Sequence, residues 1–230
     1  MGARVLERSS MIVAIAGQKG GAGKSTAAVH VACELHERGA RVLLVDGDVQ
    51  GSVVAFAEVA AEQGRAGPTV VAMGATMHRP GGLPALVGTF EHVVIDCPGR
   101  TDAVTRSALM VADVAVLPVV PSPVDAWALA GTVALVRDAQ QLRPELRAVA
   151  LLSRVQARTA LGRSARGIVQ AYGVEVLRAV LSARVAYCES WAAGQGITSY
   201  APGDLGTCEV RRLVDELLAL GAEVGVRHVA

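Results

Sequence analysis

The chain has 230 residues, 22 basic and 21 acidic side chains for a formal charge of +1, and is 52% apolar and 19% charged. With a mean hydropathy of +0.41, it is too apolar for a disordered or linker protein and fits one α/β domain. The near-neutral charge means that any nucleic-acid contact must come from a local patch.

Residues 1–10 read as a loose leader, because the first strand pattern begins at Met11. Strand patterns follow at 11–16, 41–46, 69–73, 92–96, 114–120 and 148–153, with a seventh at 174–177. Several are nearly continuous in Val, Ile, Leu and Ala, as strands covered on both faces should be. Helical periodicity fills 25–38, 52–63, 101–111, 125–140 and 160–172, then 184–192 and 207–220. Gly39 and Gly173 stand just past two of these helices, where a left-handed residue is wanted. The alternation predicts one doubly wound, mostly parallel sheet over residues 11–230, with helices on both faces and ligands at the C-terminal strand ends.

The apolar stretch at 108–124 is broken by Asp113, Pro118, Pro121 and Pro123, so it offers no uninterrupted span of about 20 residues for a bilayer. Cys33, Cys97, Cys188 and Cys208 have no metal-like spacing, which predicts reduced, buried thiols in a cytoplasmic protein. The N-terminus shows no signal-peptide apolar region, and Leu6 stands where a myristoylation signal wants Ser or Thr.

The first strand runs into Gly17-Gln18-Lys19-Gly20-Gly21-Ala22-Gly23-Lys24-Ser25-Thr26 and then a helix. Glycines let backbone N–H groups curl around phosphate oxygens, and the helix N-terminus adds partial positive charge. Gly20, Gly21, Ala22, Gly23, Lys24, Ser25 and Thr26 are therefore the candidate phosphate-binding residues. Lys24 would reach the β- and γ-phosphates and Ser25 would ligate Mg²⁺. The general pattern G-x-x-x-x-G-K-S/T fails at its first position, which Gln18 occupies. Lys19 and Lys24 are the chain's only lysines.

The run Lys19-Gly20-Gly21-Ala22-Gly23-Lys24-Ser25-Thr26 resembles the deviant phosphate loop of the ParA/MinD group of ATPases. The resemblance implies ATP and Mg²⁺ as cofactors and a nucleotide-dependent homodimer. It also implies that Lys19 reaches the partner subunit's nucleotide, acting like an arginine finger supplied in trans. Asp46-Gly47-Asp48-Val49-Gln50, after the second strand, is similar to the family's D-x-D-P-Q switch, with Val49 replacing proline. It implies that Asp48 orients the attacking water and that Asp46 helps to hold the metal shell. The fourth strand ends in Val93-Val94-Ile95-Asp96, a Walker B arrangement that places Asp96 to bind magnesium through water. Cys97 and Gly99 depart from the family's D-T-P-P; Cys97 reads as a small buried residue. Ala112-Asp113 through Pro118 to Pro123 resembles the family's A-D-x-x-x-x-P-x-x-P-S segment closely.

The likeness is strong over residues 11–140 and holds in outline beyond. Leu151-Leu152-Ser153-Arg154 lacks the asparagine with which many members read adenine, and Tyr200-Ala201-Pro202 resembles a loop beside the base, which makes Pro202 a candidate nucleotide contact. The chain contains no N-K-x-D guanine-reading motif, so ATP is expected rather than GTP. Arginines in the C-terminal third, with Arg184, Arg211 and Arg212 as candidates, could neutralise DNA phosphates without reading bases, or could be solvated helix surface.

The phosphate loop starts too early for a preceding helix-turn-helix domain. The resemblance therefore implies a short ParA-type ATPase for DNA segregation, associated with the nucleoid through non-specific double-stranded DNA. A ParB-like centromere-binding partner would stimulate its otherwise slow hydrolysis. The alternatives are a ParA-like positioning ATPase for a non-DNA cargo and a MinD-like membrane-cycling regulator. The last is disfavoured, because Arg211 and Arg212 are balanced by Asp215 and Glu216, and the stripe Val210, Leu213, Val214, Leu217 and Leu218 is expected to pack on the sheet.

Overall fold

Continuous apolar strands need two cores, one against each face, and the computed structural model supplies both. It describes residues 10–100, 103–156 and 160–227; apart from Ser10, the expected leader lies outside them. The strands are β1 (Met11–Ile15), β2 (Val42–Asp46), β3 (Thr69–Ala72), β4 (His92–Asp96), β5 (Val114–Val119), β6 (Arg147–Val155) and β7 (Glu175–Ser182). They form one sheet in the order β3-β2-β4-β1-β5-β6-β7, with every pairing parallel. Met11, Val13 and Ile15 enter one core, whereas Ile12 and Ala14 enter the other.

The helices are α1 (Lys24–Glu37), α2 (Ser52–Glu62), α3 (Leu83–Leu86), α4 (Ala103–Leu109), α5 (Pro123–Leu142), α6 (Ala160–Gln170), α7 (Val185–Ala192), α8 (Ile197–Tyr200) and α9 (Leu205–Arg227). α1 and α9 pack in the first core through residues such as Val31, Leu35, Leu213 and Leu217. α4, α5 and α6 cover the second through Leu109, Leu129, Val133 and Val169. The expected apolar stripe of α9 is buried: Val210, Leu213, Val214 and Leu217 are each at most 1% exposed. Among the described residues, no helix is long and apolar enough to cross a membrane.

α9 runs past the end expected at residue 220 because Gly221 does not stop it. Helical there, Gly221 admits the Met11 side chain so closely that a Cβ would stand 2.7 Å from the sulfur. The short α3 and α8 carry too few residues to show periodicity, and no sequence pattern anticipates them. Cys33 and Cys97 are buried as expected, but Cys188 and Cys208 are exposed.

β7 is twice as long as its sequence pattern suggests, and it is irregular. From Val176 to Val180 it advances four residues while β6 advances two, Ala150 to Leu152. The bulge frees backbone groups, and both flanking helices answer them. From α6, Arg166 donates to the carbonyls of Val176 and Leu177 at 2.9 and 2.8 Å. From α9, Glu216 accepts the N–H groups of Arg178 and Ala179 at 2.8 and 2.7 Å. Two turns earlier on α9, Glu209 accepts the N–H and hydroxyl of Ser182. The outer edge of the sheet is thereby closed to further pairing over this stretch.

A second irregularity lies in β6. Between Leu152 and Val155 it advances three residues while β7 advances two. Arg154 sits in that step with φ +51°, the one non-glycine residue of positive φ among those described.

Candidate functional site

β1 lies in the middle of the sheet, between β4 and β5. The chain leaves it through α1 for β2 on one side, whereas β5 leads to β6 and β7 on the other. Connections that diverge in this way open a crevice at the C-terminal strand ends. The loop 17–23 fills this point, with Gly21 and Gly23 at positive φ, and hands the chain to α1 at Lys24 and Ser25.

Lys24 is 8% exposed, and its Nζ donates to the carbonyl of Lys19 at 3.0 Å. Burial lowers its pKa, while electrostatic interaction with Asp96, Cys97 and Asp48 pulls it back up. The loop's own carbonyl is a weak partner for a buried ammonium, and an anion in the crevice would be a better one.

Asp46 and Asp96 face each other across the β2–β4 register. Both are buried, and their circumstances differ. The Asp46 carboxylate accepts the N–H groups of Asp48, Val53 and Val54 at 3.0, 2.9 and 3.0 Å. It thus holds the loop that carries Asp48 and the first turn of α2 together. Asp96 accepts a hydrogen bond from Ser25, and its Oδ1 has no hydrogen-bond partner. Burial pushes the Asp96 pKa up to about 7, against the pull of Ser25 and Lys24, with the Asp46 charge adding to the rise. An orphaned buried oxygen beside a serine hydroxyl suits a hard cation that accepts oxygen ligands.

Gly47 is fixed by crowding: its N–H donates to the Asp96 carbonyl at 2.9 Å, and a Cβ would lie 2.8 Å from that same oxygen. Asp48 is half-buried, and its carboxylate accepts the Gln50 N–H at 3.0 Å in a tight turn. Val49, where the resembling switch has proline, is 96% exposed. Gly99 packs against the loop, so that a Cβ there would be 3.5 Å from the Lys24 Nζ.

Beside the loop lies a cavity of about 570 Å³, bounded by Gly21, Gly23 and residues 24–26, by Ser153 and Arg154, and by residues 181–185 with Tyr187 and Cys188. Its volume is in the range of small-molecule sites. Ser153 and Arg154 also bond the loop: the Ser153 hydroxyl donates to the Ala22 carbonyl at 2.6 Å and Arg154 Nη1 to the Gly21 carbonyl at 3.0 Å.

The structure brings Gly20, Gly21, Ala22, Gly23, Lys24, Ser25, Thr26, Asp46, Asp48 and Asp96 to one end of the sheet, with Lys19 at the start of the loop. Pro202 stands in the turn between α8 and α9, whose Asp204 lies 4.0 Å from Arg184, and the cavity wall itself is formed by the β7–α7 junction. No local motif marks that junction, which reaches the loop because β7 lies next to β6.

The three candidate DNA-contacting arginines do not form one free patch. Arg184 donates to Glu209 at 2.9 Å and lies 4.0 Å from Asp204. Arg211 lies 3.9 Å from the buried Glu34. Arg212 is exposed on α9.

The family model described as the CobQ/CobB/MinD/ParA nucleotide binding domain matches residues 13–197. The maintenance of carboxysome distribution protein A of Halothiobacillus neapolitanus is 29% identical over 90% of this chain and 95% of its own length. The chromosome-partitioning ATPase Soj of Thermus thermophilus is 30% identical, again over 90% and 95%. The fold superposes on that of the cell division ATPase MinD of Pyrococcus furiosus with a TM-score of 0.74, at 20% identity, over 92% of this chain and 99% of that one.

Proposed function

The chain belongs to the CobQ/CobB/MinD/ParA nucleotide-binding domain family, and on that premise we propose that it is a ParA-like ATPase for DNA segregation. In this reading ATP closes a homodimer, the dimer rides non-specific duplex DNA in the nucleoid, and a ParB-like partner stimulates hydrolysis and release. The observation that carries the proposal is the placement of Lys24 and Ser25 at the start of α1, beside a buried Asp96 oxygen without a partner. That set fits a magnesium-bound triphosphate.

Ser25 and Asp96 would hold Mg²⁺, which when bound neutralises phosphate charge. Lys24 would leave the Lys19 carbonyl for the β- and γ-phosphates. Asp46 already accepts three backbone N–H groups, so its part is to fix the switch loop as much as to complete the metal shell. Asp48, carried by that loop, orients the attacking water, and Lys19 reaches the nucleotide of a second copy. Positioning and charge neutralisation suffice for slow phosphoryl transfer.

The test is binding to non-specific duplex DNA with ATP, ADP or no nucleotide, repeated across salt concentrations, with dimerisation followed in parallel. Binding that requires ATP and weakens steeply with salt supports the reading. Nucleotide-dependent dimers that ignore DNA would overturn its DNA arm. Asp48→Ala should give ATP-bound dimers that turn over poorly, and normal turnover would remove Asp48 from the water-orienting role. Among the candidate arginines Arg212 is tested first, since Arg184 and Arg211 stand beside carboxylates.

A second reading, positioning of a protein compartment, is supported by the similarity to the carboxysome distribution protein over nearly the full length of both chains. Deletion of the gene in the host separates the two: loss of replicons supports DNA segregation, and clustering of compartments supports the other cargo.

A further inference from the structure

We propose that Ser153 and Arg154 are positioning residues that set the phosphate loop for its ligand, so that the tip of β6 contributes to phosphate binding and not to reading the base. The inference rests on the nucleotide-site reading above and assigns a role to two residues that no motif marks.

Two consecutive residues of β6 bond two consecutive carbonyls of the loop. Ser153 is 1% exposed, and its hydroxyl donates to Ala22 at 2.6 Å; the Arg154 guanidinium donates to Gly21 at 3.0 Å. In a planar trans peptide the carbonyl and the following N–H point in opposite directions. Fixing the Gly21 carbonyl toward Arg154 turns the Ala22 N–H away from β6. Fixing the Ala22 carbonyl toward Ser153 turns the Gly23 N–H the same way. Two donors are thus pre-aimed by side chains that lie outside the loop.

The backbone is shaped for this arrangement. β6 spends its bulge between Leu152 and Val155, and Arg154 adopts φ +51° there, a conformation that L side chains avoid and that surrounding structure must impose. Bulges beside sites re-aim side chains. Here the bulge turns an otherwise outward arginine onto the loop. The hydrogen bonds that Ser153 and Arg154 donate here go to the loop's carbonyls, which ties both side chains to the phosphate end of the site.

The test measures the affinities of ATP, GTP and inorganic triphosphate, each with Mg²⁺, for the wild-type chain and for Ser153→Ala, Arg154→Ala and Arg154→Lys. Each alanine variant should weaken all three ligands about tenfold, the worth of one such hydrogen bond. The ATP:GTP ratio should stay at its wild-type value, and Arg154→Lys should recover part of the loss. Melting without ligand should stay at the wild-type temperature for the Arg154 variants, whose side chain is exposed; should Ser153→Ala fail to fold, they carry the test. Unchanged affinities, or a shifted ATP:GTP ratio with triphosphate binding intact, would overturn the proposal. A wild-type chain that binds none of the three would overturn the nucleotide-site reading first, and this inference with it.

Discussion

Two places in the sheet keep polar groups from water, at the C-terminal strand ends and along the edge at β7, and they resolve the problem in opposite ways. At β7, Arg166, Glu209 and Glu216 supply partners to the backbone groups that the bulge releases. At the strand ends, Asp96 keeps an oxygen without a partner and Lys24 falls back on a carbonyl of its own loop. At the strand ends the unfinished bonding coincides with the crevice, where a ligand can complete it. Substitutions at β7 should therefore cost stability and spare binding, and those at the strand ends should do the reverse.

The largest effect is expected of His30, which is buried on α1 against the Tyr187 ring. Its Nδ1 accepts the Ile197 N–H at 3.2 Å, whereas its buried Nε2 has no hydrogen-bond partner. Burial holds its pKa down at about 4, from 6.5. Below about pH 6.5 the unfolded chain binds a proton that the folded one refuses, so stability should fall by roughly 3 kcal/mol between pH 6.5 and pH 4. His30→Gln should flatten that part of a chemical-denaturation series, and an unchanged slope would refute the assignment.

Lys24→Ala should lower triphosphate affinity by about a hundredfold, the loss expected for charge-assisted bonds to phosphate. The melting temperature without ligand should hold or rise, since a buried ammonium is removed. A variant that both melts early and binds poorly would erase the distinction between the two regions.

Glu209→Ala should cost about 2 kcal/mol in denaturant titration at neutral pH, with triphosphate affinity unchanged. Burial raises the Glu209 pKa, but bonds from Arg184, Ser182 and Tyr187 outweigh it and leave the group below its usual value. A depressed carboxylate pKa contributes stability above its unfolded value and loses it as pH falls through the folded one. The gap between wild type and variant should therefore close in acid. The smallest effect is expected of Asp96→Asn, which should stabilise the chain without ligand by about 1 kcal/mol, by removing a poorly solvated charge, and should weaken magnesium-dependent binding.

Much of this was legible in the sequence, for reasons that also locate the failures. β1, β2 and β4 are buried on both faces, so their apolar runs stand out, and the pattern bounds β4 at His92 and Asp96 to the residue. The loop at 17–26 and the carboxylates at 46, 48 and 96 could be read because strand–loop–helix order ties them to one end of the sheet. The sequence pattern of β7 stops short because Arg178, exposed in the structure, interrupts its apolar run. The last helix runs past the expected end at residue 220, where Gly221's lack of a side chain admits Met11. Arg154 could not be found locally: no glycine or asparagine announces its left-handed backbone. The cavity wall formed by residues 181–185 arises from strand neighbours that no short segment encodes.

The strand order also bears on how the chain reaches this state. β1 is made first and sits in the middle, and its registers begin at Met11 with His92 and at Val13 with Val114. β4 begins at residue 92 and β5 at residue 114 of 230, so the central strand waits with both edges unpaired while α1, β2 and β3 emerge, and its β5 edge waits until half of the polypeptide has been made. Contacts of such long sequence separation slow folding and expose the chain to association. In pulse-labelled refolding the amides of β1 should gain protection together with those of β5 and after those of α1; earlier protection of β1 would mean that it first pairs elsewhere.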